Sequence, residues 1–256
     1  MYKIDLQYIK YKFSILNTMS GETKDPSQII YPSDCMSSST SAIFSIKDAN
    51  INDYCVFIKV SDEFDENYTE EERKKLIEFY MEKISEHEKS KYVKNQLGQN
   101  VKNKFKDSGF DLVVPWVKDC ALRAPQKKTD DGGIYFYRPG RKKLCNLRVQ
   151  IGIYKAVDDW VKGRIYIPSP YYLYARSSIY KTAFSLANNV GIIDSGYRGN
   201  ICAALHNNSG IYTSVKMGTR MTQICMPGLC PNFHVRLVSK LTTTDRGEGG
   251  FGSTGQ

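Results

Sequence analysis

From Phe110 onwards, the chain alternates between short apolar runs and short polar turns. The runs are rich in Val, Ile, Tyr and Phe, residues that favour strands, and turn pairs such as Pro139-Gly140 and Pro227-Gly228 separate them. Many short strands at such spacing predict a β-sandwich or barrel. The predicted strands are Asp111–Val114, Ile134–Tyr137, Leu144–Tyr154, Gly163–Ile167, Tyr171–Tyr174, Val190–Ile193, Asn200–Leu205, Tyr212–Lys216, Met221–Cys225 and Phe233–Lys240.

Before Phe110, the pattern differs and predicts one strand and one helix. The run YCVFIKV at Tyr54–Val60 has strand composition. A helix is predicted over about 69–92, because Thr69 and Glu72 form a capping box and apolar residues recur at helical spacing, which favours packing against the core. Residues 18–45 are rich in Ser, Thr, Asp and Pro and predict a linker, and residues 89–106 are polar and basic and predict connecting structure.

Composition narrows the class of protein. The chain has 256 residues, 41% of them hydrophobic, which suffices for one sizeable core. A formal net charge of +9 favours anionic partners such as nucleotides or nucleic acid. Seven cysteines without a CxxC pair indicate reduced thiols. Because we find neither a signal-like segment nor an apolar run of membrane-spanning length, we expect a soluble intracellular protein, cytoplasmic or nuclear.

The stretch GIIDSGYRGNI, residues 191–201, holds the first candidate for chemistry. Ile192 and Ile193 predict the end of a strand, and the Asp-Ser-Gly that follows predicts a tight turn. A carboxylate on such a turn is fixed in orientation, as a general base requires, although most turn Asp residues cap their own backbone. Asp194 is therefore a candidate whose weight depends on the rest of the chain.

Four further stretches carry polar groups suited to an anionic substrate. ARSS at 175–178 offers a guanidinium and two hydroxyls to phosphate oxygens, and GTRMTQIC at 218–225 offers Arg220 and Gln223. In DSGFDL, Asp111 lies at the head of a strand. RGEGGFGSTG at 246–255 has free backbone amides that can wrap an anion, and Phe251 can cover a flat base.

In this order, the five stretches resemble the five motifs of the trimeric deoxyuridine triphosphatases (dUTPases). DSGFDL resembles the first motif, ARSS the second, GIIDSGYRGNI the third, GTRMTQIC the fourth and RGEGGFGSTG the fifth. The resemblance covers residues 105–256. It implies an all-β, jelly-roll-like barrel or sandwich with one inserted N-terminal α-helix. The corresponding division is an N-terminal extension over 1–106 and a core over 107–256 that ends in a flexible arm, 245–256.

The resemblance also implies an activity: magnesium-assisted hydrolysis of dUTP to dUMP and pyrophosphate in a homotrimer. Asp194 would act as general base on the attacking water and Gln223 would help to hold that water, while Asp111 would reach Mg²⁺ through water. The active sites would be shared between subunits, with the arm of one chain closing over Asp194 of another. The residues implied to bind the substrate are Arg176, Ser177, Ser178, Asn188, Gly191, Tyr197, Asn200, Cys202, Arg246, Phe251, Gly252, Ser253 and Thr254.

Three alternatives stay open at this point. A dCTP deaminase-type enzyme shares this kind of fold but lacks such an arm. An interaction protein could use residues 1–100 on a dUTPase scaffold. Cys225, Cys230 and His234 have the spacing C-x4-C-x3-H, with Cys202 and His206 also available, which is one arrangement for zinc, although a core role for Cys225 is favoured. Neither a membrane nor a nucleic-acid substrate is expected.

Overall fold

A computed structural model describes residues 52–65, 68–116, 134–161 and 163–249. Within these ranges, the chain forms fifteen strands and one α-helix, α1, Glu70–Ser90. The strands are β1 Tyr54–Val60, β2 Tyr92–Lys94, β3 Asn100–Lys102, β4 Gly109–Leu112, β5 Ile134–Tyr137, β6 Lys142–Asn146, β7 Val149–Asp159, β8 Gly163–Pro168, β9 Tyr171–Ala175, β10 Phe184–Leu186, β11 Val190–Ile193, β12 Cys202–Asn207, β13 Thr213–Lys216, β14 Thr222–Cys225 and β15 Phe233–Leu237.

Strand β1 lies inside the sheet β15-β1-β7-β8. It pairs in parallel with β15 and antiparallel with β7. One face, including Val56 and Ile58, packs into the main core, and the other face, Cys55 and Phe57, packs against Val238 and Leu241 of the C-terminal segment. Because both faces are buried, the strand has a continuous apolar sequence rather than an alternating one.

Two further sheets contain strands that carry the candidate motifs. One has the order β11-β9-β14-β4 and the other has the order β10-β12-β6, and the pairs β13-β5 and β2-β3 complete the described strands. In the first of these sheets, Gln223 of β14 lies opposite both Asp111 of β4 and Tyr174 of β9. Ile193 of β11 lies opposite Tyr171 of β9. This register fixes where the motifs lie relative to one another.

Helix α1 packs against β15 and β1. It begins after Thr69, whose backbone N–H and hydroxyl both donate to the Glu72 carboxylate, so the predicted capping box is confirmed. Its apolar stripe buries Leu76, Ile77 and Tyr80 completely in the main core. The predicted stripe therefore serves the core of the same chain.

The prediction of an all-β fold with one helix is confirmed, with local differences that include strand β10, which the sequence did not predict. The run predicted as one strand, Leu144–Tyr154, is divided between β6 and β7 at Arg148, which has a positive φ of 56°. The guanidinium carbon of Arg148 lies 4.8 Å from the centre of the Tyr68 ring, which holds the kink. Residues 89–106, predicted as connecting structure, contain the β2-β3 hairpin. The predicted linker, 18–45, lies outside the described residues, and none of the described helices is long and apolar enough to span a membrane.

Candidate active site

The turn that follows β11 holds Asp194 at its tip. The Tyr197 N–H donates to the Asp194 carbonyl at 3.0 Å, which closes the tight turn predicted from the sequence. The Asp194 carboxylate is 52% exposed and pairs with Arg246 at 2.7 Å. An exposed carboxylate on a closed turn is oriented and remains open to solvent, which suits a group that must accept a proton from water.

Arg198 fastens this turn to the rest of the molecule. Its side chain is buried and its guanidinium donates to the carbonyls of Ser195, Tyr197 and Thr242 at 2.8–2.9 Å. The same group also donates to the Tyr154 hydroxyl at 3.2 Å. The backbone N–H of Arg198 donates to the Gly247 carbonyl at 2.8 Å. One side chain thus ties the turn, β7 and the C-terminal segment together.

Tyr197 is fixed by its own neighbours in sequence. Its hydroxyl donates to the Asn200 carbonyl at 2.9 Å, and a β-carbon at Gly199 would lie 2.5 Å from that hydroxyl, so a larger residue there would displace the tyrosine ring. The Cys202 thiol donates to the same Asn200 carbonyl at 3.6 Å. Burial raises the pKa of Tyr197 and the pKa of Cys202. Both groups therefore stay protonated near neutral pH and act as hydrogen-bond donors.

Glu63 contacts this region although sequence reasoning did not select it. The Asn200 side-chain N–H donates to the Glu63 carboxylate at 2.9 Å. Arg148 donates to the Glu63 carbonyl at 3.2 Å and pairs with Asp65. The loop after β1 therefore braces Asn200. No local motif marks Glu63, since 137 positions separate it from Asn200 in the chain.

A second cluster of polar groups lies on the sheet formed by β4, β9 and β14. Asp111 pairs with Arg176 at 2.5 Å and with Arg220 at 3.0 Å, one guanidinium on each carboxylate oxygen. Arg176 also donates to the Ser178 hydroxyl at 3.3 Å. We call this set, with Gln223, the arginine cluster. It concentrates two guanidinium groups and a hydroxyl, a donor set that matches phosphate oxygens.

The structure describes some of the remaining predicted residues and leaves four of them outside its range. The Gln223 amide donates to the Ala175 carbonyl at 3.4 Å, and Ser177 is exposed at the start of a 3-10 turn, Ser177–Lys181. Asn188 is exposed in the turn before β11. Gly191 lies so close to β9 that an added β-carbon would be 3.1 Å from that of Leu173. Phe251, Gly252, Ser253 and Thr254 lie outside the described residues.

The Asp194 turn and the arginine cluster lie at opposite ends of one sheet. If the register of β11 on β9 is continued by one residue, Asp194 lies opposite position 170, whereas Arg176 follows the other end of β9. Six residues of strand correspond to about 20 Å. Gln223 lies on β14, two strands from β11, opposite position 174 of β9 and therefore four residues along from position 170. The α-carbons of Gln223 and Asp194 are thus about 16 Å apart. Within one chain, the side chains of Asp194 and Gln223 cannot hold the same water molecule.

Arg246 of the C-terminal segment pairs with Asp194 within the single chain. Closure of the arm over Asp194 of another chain stays a prediction. The residues on both sides of Arg246 are attached to the same turn, because the Thr244 hydroxyl donates to the Gly196 carbonyl and the Gly247 carbonyl accepts from the Arg198 N–H. These contacts place the Arg246 guanidinium beside the Asp194 carboxylate.

The described residues also bear on the two metals considered from the sequence, zinc and magnesium. In the described part of the chain, no group of three or more His, Cys, Asp or Glu side chains could hold a metal ion. The zinc alternative is therefore not supported, and His234 instead contacts Asp53 at 3.5 Å and Lys91 at 2.9 Å. Asp111 offers one carboxylate beside the guanidinium groups of Arg176 and Arg220. That donor set fits Mg²⁺, which binds through few carboxylates, substrate phosphates and retained water.

The fold and site define a β-protein with an exposed carboxylate on a turn and a cluster of two guanidinium groups, and comparison with known proteins gives its family. The family model described as dUTPase matches residues 146–255. A deoxyuridine 5'-triphosphate nucleotidohydrolase of Actinobacillus succinogenes is 35% identical over 121 residues, 46% of this chain and 72% of that protein. The chain belongs to the dUTPase family.

Two further comparisons describe the extent of the likeness. The enzyme of the same name from Desulfitobacterium hafniense strain DSM 10664 / DCB-2 is 43% identical over 86 residues, 33% of this chain. The match spans 56% of that relative, little more than half its length. The crystal structure of a dUTPase from Streptococcus mutans is 21% identical, covers 48% of this chain and 80% of that one, and has a TM-score of 0.32.

Proposed function

We propose that this protein hydrolyses dUTP to dUMP and pyrophosphate. The observation that carries the proposal is the Asp194 turn, in which an exposed carboxylate is held in place by the buried Arg198. Support also comes from the arginine cluster, whose groups suit a triphosphate, and from relatives named for action on deoxyuridine triphosphate.

Asp194 acts as the general base. It takes a proton from a water molecule as the water oxygen forms a bond to the α-phosphorus. The bond from that phosphorus to the bridging oxygen breaks, and pyrophosphate leaves with the electron pair. Gln223 holds the water through its amide without competing for the proton. Arg246 leaves Asp194 when the nucleotide binds, because phosphate oxygens offer its guanidinium a stronger partner.

The arginine cluster receives the phosphates. Arg176, Ser177 and Ser178 donate to phosphate oxygens, and Arg176 exchanges its contact with Asp111 for a contact with substrate. The Asp111 oxygen released by Arg176 would then accept hydrogen bonds from water bound to a magnesium ion, while Arg220 keeps the other oxygen. When bound, Mg²⁺ neutralises charge on the triphosphate. The protein side chains do the positioning.

The nucleoside end is recognised around Tyr197 and the arm. Tyr197 packs against the deoxyribose and leaves no space for a 2′-hydroxyl. Gly191, Asn200 and Cys202 present backbone groups to the uracil edge, and Asn188 adds its side-chain amide. Phe251 stacks on the base while the amides and hydroxyls of 252–254 wrap the phosphates.

We further propose that each active site is shared between subunits of a homotrimer. Asp194 and Gln223 must lie within hydrogen-bond reach of one water molecule, yet about 16 Å separates them in a single chain. A complete site therefore combines the Asp194 turn of one chain with the arginine cluster of another. Cyclic association of identical chains supplies that arrangement in every copy.

The substrate is tested by measuring pyrophosphate release from dUTP, dCTP and dTTP side by side, with and without Mg²⁺. We expect release from dUTP in a magnesium-dependent reaction and at least about a hundredfold loss in Asp194→Asn. Ammonia release from dCTP would instead support a deaminase. An Asp194→Asn protein that retains the wild-type rate would refute the role of Asp194.

The shared site is tested by mixing two inactive variants, Asp194→Asn and Arg176→Gln. After joint unfolding and refolding at equal ratio, a site is intact when its base comes from the Arg176→Gln chain and its guanidinium from the Asp194→Asn chain. Random assembly makes that about a quarter of the sites. We expect activity to return after co-refolding and not after simple mixing. Mixed trimers that form and stay inactive would contradict sharing.

A further inference from the structure

The β2-β3 hairpin extends from the end of α1 and contributes none of its strand side chains to the core. All residues of both strands are exposed. The connecting loop is closed by Asn95, whose side-chain oxygen accepts from the N–H groups of Leu97 at 3.0 Å and Gln99 at 2.9 Å. A two-stranded hairpin is at best marginally stable in water by itself. Because the strand side chains of this hairpin pack against no core, both faces of its strands are accessible to another molecule.

Large apolar side chains are unusually exposed on this hairpin. Tyr92 is 53% exposed, Leu97 is 81% exposed, and Phe105, just after β3, is 91% exposed. With Val93 and Val101, which are also exposed, five such residues lie on one short segment, and the packing of the described chain does not explain them. Two of them are aromatic rings with accessible faces.

Charge on the same segment has one sign. Residues 89–106 contain six lysines and no Asp or Glu, so this segment carries a large share of the formal charge of +9 of the whole chain. Lys91 pairs with Glu88, and Lys106 donates to the Asn232 side-chain carbonyl at 2.8 Å. Three other lysines of this segment form no ion pair with any residue that the structure describes: Lys94, Lys102 and Lys104.

The strand register places the ring and the charges together. Tyr92 lies opposite Lys102, and Lys94 is two residues along from Tyr92, so the three side chains share one face of the hairpin. Diagonal neighbours in such a pair lie about 7–8 Å apart. The face therefore combines an accessible aromatic ring with two unpaired ammonium groups, and Lys104 and the exposed Phe105 follow in the chain two and three residues after Lys102.

We propose that this basic hairpin, residues 91–105, binds single-stranded nucleic acid. Lysines attract the phosphates, and Tyr92 and Phe105 stack on bases that are not paired. Duplex DNA satisfies the lysines but hides the faces of its bases. An acidic peptide satisfies the lysines but offers no flat rings to two exposed aromatic side chains. Because the hairpin is distinct from the Asp194 turn and the arginine cluster, binding here is independent of dUTP hydrolysis.

The test uses the full-length protein and a fluorescein-labelled 20-mer of deoxyadenylate, measured by fluorescence anisotropy at several salt concentrations. Adenine is chosen so that the probe does not resemble the nucleotide of the proposed active site. Three variants are compared with wild type: Lys94→Gln/Lys102→Gln/Lys104→Gln, Tyr92→Ala/Phe105→Ala, and the charge-matched control Lys142→Gln/Lys216→Gln/Lys240→Gln, whose lysines are exposed elsewhere. Thermal melting confirms that each variant is folded.

Wild type is expected to bind the single strand more tightly than a duplex of equal length. The hairpin lysine variant should bind at least about tenfold more weakly. The slope of its log binding constant against log salt concentration should be shallower than that of wild type by about 2. Loss of both rings should weaken single-strand binding at least about fivefold. The control variant should bind nearly as wild type does.

Several results would overturn the proposal. They are absence of binding by wild type, equal binding of single strand and duplex, equal loss in the control variant, or unchanged binding in either hairpin variant. Sedimentation of the hairpin variants as smaller assemblies would show that the segment instead contacts a second copy of the chain, which also rejects the proposal.

Discussion

Replacement of Arg198 by alanine tests whether the turn that carries Asp194 is held by a single side chain. Arg198→Ala removes three short hydrogen bonds to carbonyls, those of Ser195, Tyr197 and Thr242. At about 1 kcal/mol net for each bond, the expected loss is about 3 kcal/mol of folding free energy. The longer contact with the Tyr154 hydroxyl adds to this figure.

The assay is thermal melting at fixed protein concentration, since association would otherwise shift the transition. For a chain of this size, a loss of about 3 kcal/mol lowers Tm by about 6–12 °C. Arg164→Ala is the matched control, because Arg164 is exposed and its pair with Asp158 is 3.6 Å long. That change should cost less than about 1 kcal/mol.

Arg198→Lys separates charge from geometry. A lysine retains the positive charge, but its ammonium group cannot reach carbonyls on both sides as a planar guanidinium does. We expect its Tm to lie between those of wild type and Arg198→Ala. If Arg198→Ala melts within about 2 °C of the Arg164→Ala control, Arg198 does not fasten the turn and the argument from its hydrogen bonds is wrong.

Three further outcomes are expected. Thr69→Ala should cost about 1 kcal/mol in urea unfolding while Thr69→Ser costs little, and equal losses would exclude a capping role. Burial lowers the pKa of His87 from 6.5, and the neutral ring stacks 4.5 Å from the Phe233 ring. The neutral ring therefore contributes stability that is present above pH 6.5 and is lost as pH falls. The Tm of wild type should drop between pH 7.5 and 5.5, and the Tm of His87→Phe should drop less. Glu63→Ala should raise KM for dUTP more than it lowers kcat, because it loosens Asn200, and an unchanged KM would count against that bracing.

The elements that could be predicted from sequence are those whose signal is local. The start of α1 follows from Thr69 and the glutamate three residues later, and its buried stripe follows from 3.6-residue spacing. Strand β1 follows from its apolar composition. The Asp194 turn follows from Asp-Ser-Gly after an apolar pair, and its closing hydrogen bond is where the sequence places it.

Features that depend on distant contacts could not be predicted. The kink at Arg148 needs a positive φ that the loop after β1 stabilises, and its one local signal is Asn146, whose side-chain oxygen accepts from the Arg148 N–H at 2.8 Å. The β2-β3 hairpin was missed because both of its faces are exposed, so its strands lack the alternation of apolar and polar residues that marks a half-buried strand. The distance between Asp194 and Gln223 depends on strand register.

The parallel pairing of β1 with β15 has a consequence for synthesis of the chain on the ribosome. β1 ends at Val60, its antiparallel neighbour β7 begins at Val149, and its parallel neighbour β15 begins at Phe233. A nascent chain therefore carries YCVFIKV with both edges unpaired until β7 has emerged, and with one edge open until nearly all of the described chain is made. Open apolar strand edges are sites of aggregation and of chaperone binding. A ribosome that stops before residue 233 releases a chain with β1 still open on one side.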